Sequence, residues 1–189
     1  MAASMDLAIL ADVKNYLGET GSDHDALLEA LIDRVSEAVE TYCGRRFKQE
    51  TVTEYHDGRG RSRLALRRRP VASVTSLHDD LDRAYTDEEI VDPDDYTFYP
   101  DEGIVELDAG VFQDGLRNVK VVYVAGYATV PADLAHAAIV WVAAIFHRAQ
   151  QGGDGFAQER VEAYSARFET EPMPAAVRGI LDAYGEVAV

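Results

Sequence analysis

Residues 121–146, VVYVAGYATVPADLAHAAIVWVAAIF, carry one charged side chain, Asp133, in a chain of 189 residues with a formal net charge of −16. So apolar a stretch must be a membrane span, a strand–turn–helix that cradles a nucleotide, or the inner layer of a globular fold. Val119 to Val124 is rich in β-branched residues and reads as a buried-type strand, left at Ala125-Gly126-Tyr127. A helix is predicted to start at Thr129–Asp133, with Pro131 at its first position and Asp133 in the first turn, where the helix dipole favours an acid. It should run to about Gln150 and stop at Gly152-Gly153.

The apolar core of that helix, Leu134–Phe146, is thirteen residues long and contains His136, whereas a bilayer requires roughly 20 residues. A membrane span is therefore not expected. Nor is a nucleotide site: one glycine follows the strand, with neither GxGxxG nor GxxxxGK[ST]. What remains is a helix apolar nearly all round, which must be covered by protein on most sides. Candidates for that cover are the stripe of a preceding helix, a sheet, and another copy of the chain.

Upstream, Leu10–Leu17 reads as a short helix stopped by Gly18. Ser22 with Asp25 three residues on suggests a capping box opening a helix over 22–43. Its stripe is Leu27, Leu28, Leu31, Val35, Ala38, Val39 and Tyr42, and Gly44 follows as its stop. From Arg46 the period shortens. FKQETVTEYHDGRGRSRLAL reads as a hairpin turning at Asp57-Gly58, PVASVTSL as a third strand, and YTFYP, GIVELD and NVKVVYVAGY as further strands. QQGGDGFAQERVEAYSARFETEPMP is glycine-rich and then polar, so 151–172 is expected to be a flexible loop. PAAVRGILDAYG then reads as a terminal helix with Val177, Ile180, Leu181 and Tyr184 on one face, able to pack on its own core or in a partner's groove.

The expected fold is α+β: a helical bundle with an inserted small antiparallel sheet or sandwich. N-terminal helices would occupy 1–45, the β region 46–127 and C-terminal helices 128–189, as one composite domain.

Charge is unevenly spread. Residues 44–70 hold nine bases and three acids, net +6, while 71–117 hold fourteen acids and two bases, net −12. An acidic chain gains no counterion-release affinity for DNA, which argues against a sequence-reading DNA binder and for charge-complementary protein contacts. Arg59, Arg61 and Arg63, then Arg67-Arg68-Arg69, form either a solvated strand end or a docking patch for an acidic neighbour. DDLDRAYTDEEIVDPDD fails as a calcium loop, since Tyr96 and Thr97 stand where an oxygen ligand and glycine belong. It reads as a solvated acidic loop.

Five scattered histidines and one cysteine, Cys43, show no metal-ligand spacing; His136 and His147 stand three turns apart on one helix, about 16 Å. Cys43 reads as a small core residue in a chain suited to a reducing compartment. GxSxG, HExxH and SxxK are missing, so no catalytic residue, cofactor or metal is expected. The N-terminal MAASMDLAIL lacks a basic n-region, and no signal peptide is expected.

Four segments in order carry a resemblance: LADVKNYLG with DHDALLEALIDRVSEAVETYCGRRF; PVASVTSL; NVKVVYVAGYATVPADLAHAAIVWVAAIFHRA; and ERVEAYSARFETEPMPAAVRGILDAY, ending in P-x-x-V-x-x-I-L-x-x-Y. Together they resemble the head–tail connector (adaptor) proteins of tailed bacteriophages and their equivalents in gene-transfer particles. The acidic stretch from about 79 to 117 matches least. The resemblance implies a non-enzymatic ring subunit, twelvefold, in the virion neck, assembled in the bacterial host cytoplasm. It would sit under the portal protein, above a stopper or tail-side neck protein, with double-stranded DNA passing through without sequence-specific binding and no membrane contact.

Portal docking would then fall on Val177, Arg178, Ile180, Leu181 and Tyr184. Subunit contacts would fall on helices 22–43 and 131–150, through Leu31, Val35, Trp141 and Phe146, and on Arg67, Arg68 and Arg69. Ring closure needs heterologous contacts, so opposite-charge faces are expected, supplied by the +6 and −12 segments. Two rivals stand beside this expectation. One is a different neck protein, a head-closure or tail-completion subunit. The other is a small hydrolase or nucleotide-binding enzyme, which needs acids and bases converging in a cleft.

Overall fold

The computed structural model describes residues 6–151 and 173–185. The described residues up to Arg46 and from Val130 onward form one compact unit, and Phe47–Thr129 form another. The fold is mixed α+β, with four helices and two small antiparallel sheets among the described residues.

In the helical unit, α1 spans Leu10–Leu17, α2 Asp25–Cys43, α3 Ala132–Gln151 and α4 Ala175–Leu181, which tightens into a 3-10 turn at Asp182–Tyr184. Gly18 and Gly44 end α1 and α2 in the left-handed region, with φ of 73° and 69°. Ser22 does not cap α2. The helix starts three residues later, the Ser22 carbonyl accepts from the Asp25 N–H, and the Asp25 carboxylate is taken by Lys14 Nζ of α1 at 2.5 Å. No side chain caps α2, and its first acid is engaged by α1 instead. The stripe on α2 is also rotated from the expected one: Leu28, Leu31, Ile32, Val35, Ser36, Val39 and Cys43 are buried, while Tyr42 is exposed. Ser36 earns its buried place by accepting the Leu7 N–H at 2.9 Å.

Helix α3 packs against α1, α2 and α4. Leu134, Ala137, Ala138, Trp141, Val142, Ala143, Ile145 and Phe146 are buried there. The chain's own helices therefore supply the cover that its apolar surface demands, where a second copy had been one candidate. Each of the larger side chains contributes roughly 1.5–3 kcal/mol by leaving water. No described helix is long and apolar enough to cross a membrane.

In the β unit, β1 is Glu50–His56, β2 Arg63–Ala65, β3 Val71–Asp79, β4 Tyr96–Tyr99, β5 Ile104–Leu107 and β6 Val119–Ala125. One sheet has the order β1-β6-β3 and the other β2-β5-β4, all antiparallel. The hairpin expected at Asp57-Gly58 does not form, because β1 and β2 belong to different sheets. Asp57 Oδ1 accepts the Arg117 N–H, and Gly58 N–H donates to Gly115 O and Asn118 Oδ1, so this dipeptide ties the chain to the 113–118 loop. The reversal comes at Arg59 and Gly60, with φ of 69° and 59°, and carries the chain on to the second sheet.

β6 is the central strand of its sheet and alternates along its length: Val119, Val121, Tyr123 and Ala125 are fully buried, with half-buried residues between them. Those four join Leu64, Leu66, Val71, Leu77, Val105 and Phe112 in a single apolar cluster fed by both sheets. Gly126 ends the strand at φ 106°, and its N–H donates to Pro70 O. A Cβ there would lie 2.4 Å from Lys48 O, so a turn with close backbone approach explains this glycine without a phosphate.

Residues 152–172, the expected flexible loop and the Gly152-Gly153 stop, lie outside the described residues, as do residues 1–5 and 186–189.

Candidate functional site

The β unit holds a polar cleft of about 360 Å³ beside the end of β1. Tyr55 and His56 line it from β1, Arg59, Arg61, Arg63 and Arg67 from the following segment, and Leu64 and Phe112 give it an apolar part. The local sequence puts the arginines there: Leu64 and Leu66 enter the core, so alternation turns Arg63 and Arg67 outward.

The four arginines differ in what holds them. Arg63 Nε pairs with Glu106 Oε1 at 2.9 Å across the β2–β5 ladder, which raises the guanidinium's pKa and lowers that of the carboxyl. Arg59, largely exposed, reaches Asp57 only at 3.9 Å. The side chains of Arg61 and Arg67 are exposed and meet no carboxylate within ion-pair distance among the described residues. Arg67-Arg68-Arg69 is thus not a uniform patch. Arg68 is half-buried and paired with Glu50, and its N–H donates to the Tyr123 hydroxyl. Arg69 runs along Gly103, where an added Cβ would sit 2.5 Å from its Cγ.

Behind the cleft lies a buried network that the spacing of the sequence did not reveal. Glu54 faces the core from β1. Its Oε2 accepts from His56 Nε2 at 2.7 Å and from the Arg67 N–H at 3.2 Å, while Oε1 accepts from the Tyr123 hydroxyl at 2.5 Å. Burial by itself would raise the Glu54 carboxyl, but the bonds from His56, Tyr123 and Arg67 outweigh it and hold the group below its ordinary value. Burial, then the Glu54 bond, pushes the Tyr123 phenol well above its usual range. One signal was present: Glu54 shares a strand face with Val52, so a carboxylate stood in an apolar phase and needed donors.

A histidine–carboxylate pair beside a cleft is part of what a hydrolase needs. Here Glu54 is spent on three donors, and no serine, threonine or cysteine lines the cleft. Arginine stays charged and does no acid–base work at neutral pH. The arrangement is suited to holding carboxylates or other anions.

The remaining expected site residues are distributed as follows. Leu31, Val35, Trp141 and Phe146 are buried in the helical unit. Of the terminal helix, Val177 and Leu181 are buried in the same unit, Ile180 and Tyr184 are half-buried, and Arg178 is exposed. Tyr184 donates to Asp133 Oδ1 at 2.7 Å, Cys43 Sγ donates to Leu181 O at 3.7 Å, and Tyr42 donates to Asp182 Oδ1 at 2.5 Å. The helix packs on α2 and α3 of its own unit, burying Val177 and Leu181. Burial pushes the Cys43 thiol up to about 11.

In the acidic tract, Asp92 accepts from the Asp94 N–H and opens a 3-10 turn, and Asp80 accepts from the Asp82 and Tyr85 N–H groups. Among the described residues no group of three or more His, Cys, Asp or Glu side chains could hold a metal ion.

The model of the head completion protein family matches residues 6–187. No curated protein matches by sequence. Solved chains share the fold, three of them as follows. One lies in the neck of an empty GTA particle computed with C6 symmetry: 21% identity, TM-score 0.65, covering 100% of this chain and 95% of that one. A second is from the virion of a native gene transfer agent (GTA) particle: 20% identity, TM-score 0.65, covering 100% and 94%. A third lies in the neck of a native GTA particle computed with C12 symmetry: 22% identity, TM-score 0.63, covering 100% and 94%.

Proposed function

Since the chain belongs to the head completion protein family, we propose that it is a structural subunit of the neck between capsid and tail. More narrowly, it is the adaptor that forms a ring beneath the portal protein, extends the DNA channel and receives a stopper or tail-side protein below. The observation that carries this is the family match over residues 6–187, supported by a fold shared with chains in GTA necks solved with sixfold and twelvefold symmetry. The charge distribution fits a channel subunit: a net charge of −16 repels phosphate and lets duplex DNA pass without being gripped. Ring contacts, on this account, use exposed residues of the β unit and of α2 and α3, because the apolar residues of those helices are spent on the chain's own core.

Family membership also fits a head-closure or tail-completion subunit, which would attach to an adaptor or to the tail. Pull-down separates the two: the adaptor binds purified portal-bearing heads directly, whereas the alternative binds only after an adaptor is present. Electron microscopy of the neck of intact particles then gives position and symmetry. Density for this chain away from the portal would overturn the adaptor assignment.

A further inference from the structure

The segments beside the two outer strands of the β1-β6-β3 sheet carry opposite charge. The arginine cleft, which Asp57 also lines, lies beside the end of β1, and its Arg61 and Arg67 side chains are exposed and meet no carboxylate within ion-pair distance among the described residues. At the β3 flank the chain returns after its acidic loop: Val91 N–H donates to Leu77 O, and Ile90 bridges His78. That return holds the 3-10 turns Asp87–Glu89 and Pro93–Asp95 beside β3, with Asp87, Glu88, Asp92, Asp94 and Asp95 exposed. Strands β1 and β3 stand on either side of β6, about 10 Å apart by strand spacing, so the cleft beside β1 and the acids beside β3 belong to different edges of one sheet.

We propose that the arginine cleft of one copy takes the acidic 87–95 stretch of the next copy, making the head-to-tail contact of the ring; this rests on the neck-ring reading above. A heterologous interface needs two different, mutually complementary faces on one subunit, and different edges of a single sheet let the contact repeat around a closed ring. Arginine in a partly enclosed cleft binds carboxylates through paired N–H groups, with more strength and direction than a solvated lysine. A cleft of about 360 Å³ is small for a folded element but admits a few acidic side chains. Duplex phosphate is the competing occupant. It is disfavoured because the adjoining 71–117 segment, net −12, would be drawn against the same DNA.

The test uses the full chain on portal-bearing heads from a strain lacking it, with R61C/E88C cross-linked by a bismaleimide. Cys43, buried, stays silent. The expected result is a ladder of covalent multimers from R61C/E88C and monomers from either single variant. Independently, R61E/R67E should lose incorporation into heads by about tenfold or more, and adding D87K/E88K to the same chain should restore it, because close charge pairs at interfaces couple strongly. All these side chains are exposed, and a thermal melt confirms folding of each variant. Wild-type incorporation by R61E/R67E, or no ladder in heads whose necks show a ring, overturns the pairing and leaves the neck ring standing. Failure of the wild-type chain to join heads at all overturns both. Loss of double-stranded DNA retention in R61E/R67E, with ring formation intact, overturns the pairing in favour of phosphate.

Discussion

Tyr123 donates its hydroxyl hydrogen to Glu54 Oε1 at 2.5 Å, joining the central strand β6 to its neighbour β1 inside the core of the β unit. Removing either partner leaves the other buried without its bond. The Y123F variant keeps the ring and loses the hydroxyl, which also accepts from the Arg68 N–H. It should lose about 1–2 kcal/mol of stability. E54Q removes the charge that three donors converge on and should lose about 2–3 kcal/mol. Combining the two should cost less than the sum, because they share one bond. Thermal denaturation of the three variants measures this, and strict additivity would refute the shared role.

Acid sensitivity follows from two groups of the β unit. Glu54 titrates below its ordinary value of 4.5 in the fold, so its contribution is complete above 4.5 and fades as pH falls through the lower folded value. His78 has its pKa lowered from 6.5, chiefly by burial and then by Lys120, against the opposing pull of Asp87 and Glu89. Its stabilising effect is complete above 6.5 and declines as pH falls through its folded pKa. Stability should therefore drop in two stages on acidification. H78N should flatten the first and E54Q the second, read as unfolding free energy against pH in urea.

Gly126 gives a purely steric prediction. G126A places a Cβ 2.4 Å from Lys48 O at a φ of 106°, a conformation that alanine rarely adopts. The variant should lose about 1–3 kcal/mol or more, visible as a lowered melting temperature and faster hydrogen exchange at the Gly126 N–H bonded to Pro70 O. G110A, at φ 81° but in open space, should cost less.

Element type was legible in the sequence where one period dominates. Leu10–Leu17, the strands from Val71 and Val119, and the helix through Trp141 all follow from spacing, with ends set by Gly18, Gly126 and Pro131. Pairing was not legible. Asp57-Gly58 carries ordinary hairpin chemistry, yet its N–H and carboxylate find partners sixty residues away at Gly115, Asn118 and Arg117, and such long-range bonds leave no local trace. At Ser22 no side-chain cap forms either: the helix starts at Asp25, whose carboxylate pairs with Lys14 of the preceding helix. In the candidate site, the arginines were visible as a basic run, but only the fold shows that Arg68 is committed to Glu50 while Arg61 and Arg67 stay available. The buried Glu54–Tyr123 bond joins two strands far apart in sequence and could be seen there only as an acid standing in an apolar phase.

The terminal helix gives a prediction that separates core from contact. Leu181 is fully buried and Val177 nearly so, held in the helical unit beside Cys43 and Tyr42, whereas Arg178 on the same helix is exposed. A helix whose apolar stripe already packs on its own unit can meet a neighbour only with its other face. L181A should therefore cost about 2–5 kcal/mol through the cavity it leaves, whether or not any partner is present. R178E should change stability by no more than about 0.5 kcal/mol. If α4 also touches the portal, R178E should weaken retention on portal-bearing heads while its melting temperature stays at the wild-type value. An L181A chain that melts like wild type yet fails to bind heads would show that the stripe is released for docking, and that the packing of α4 against its own unit is not the bound arrangement.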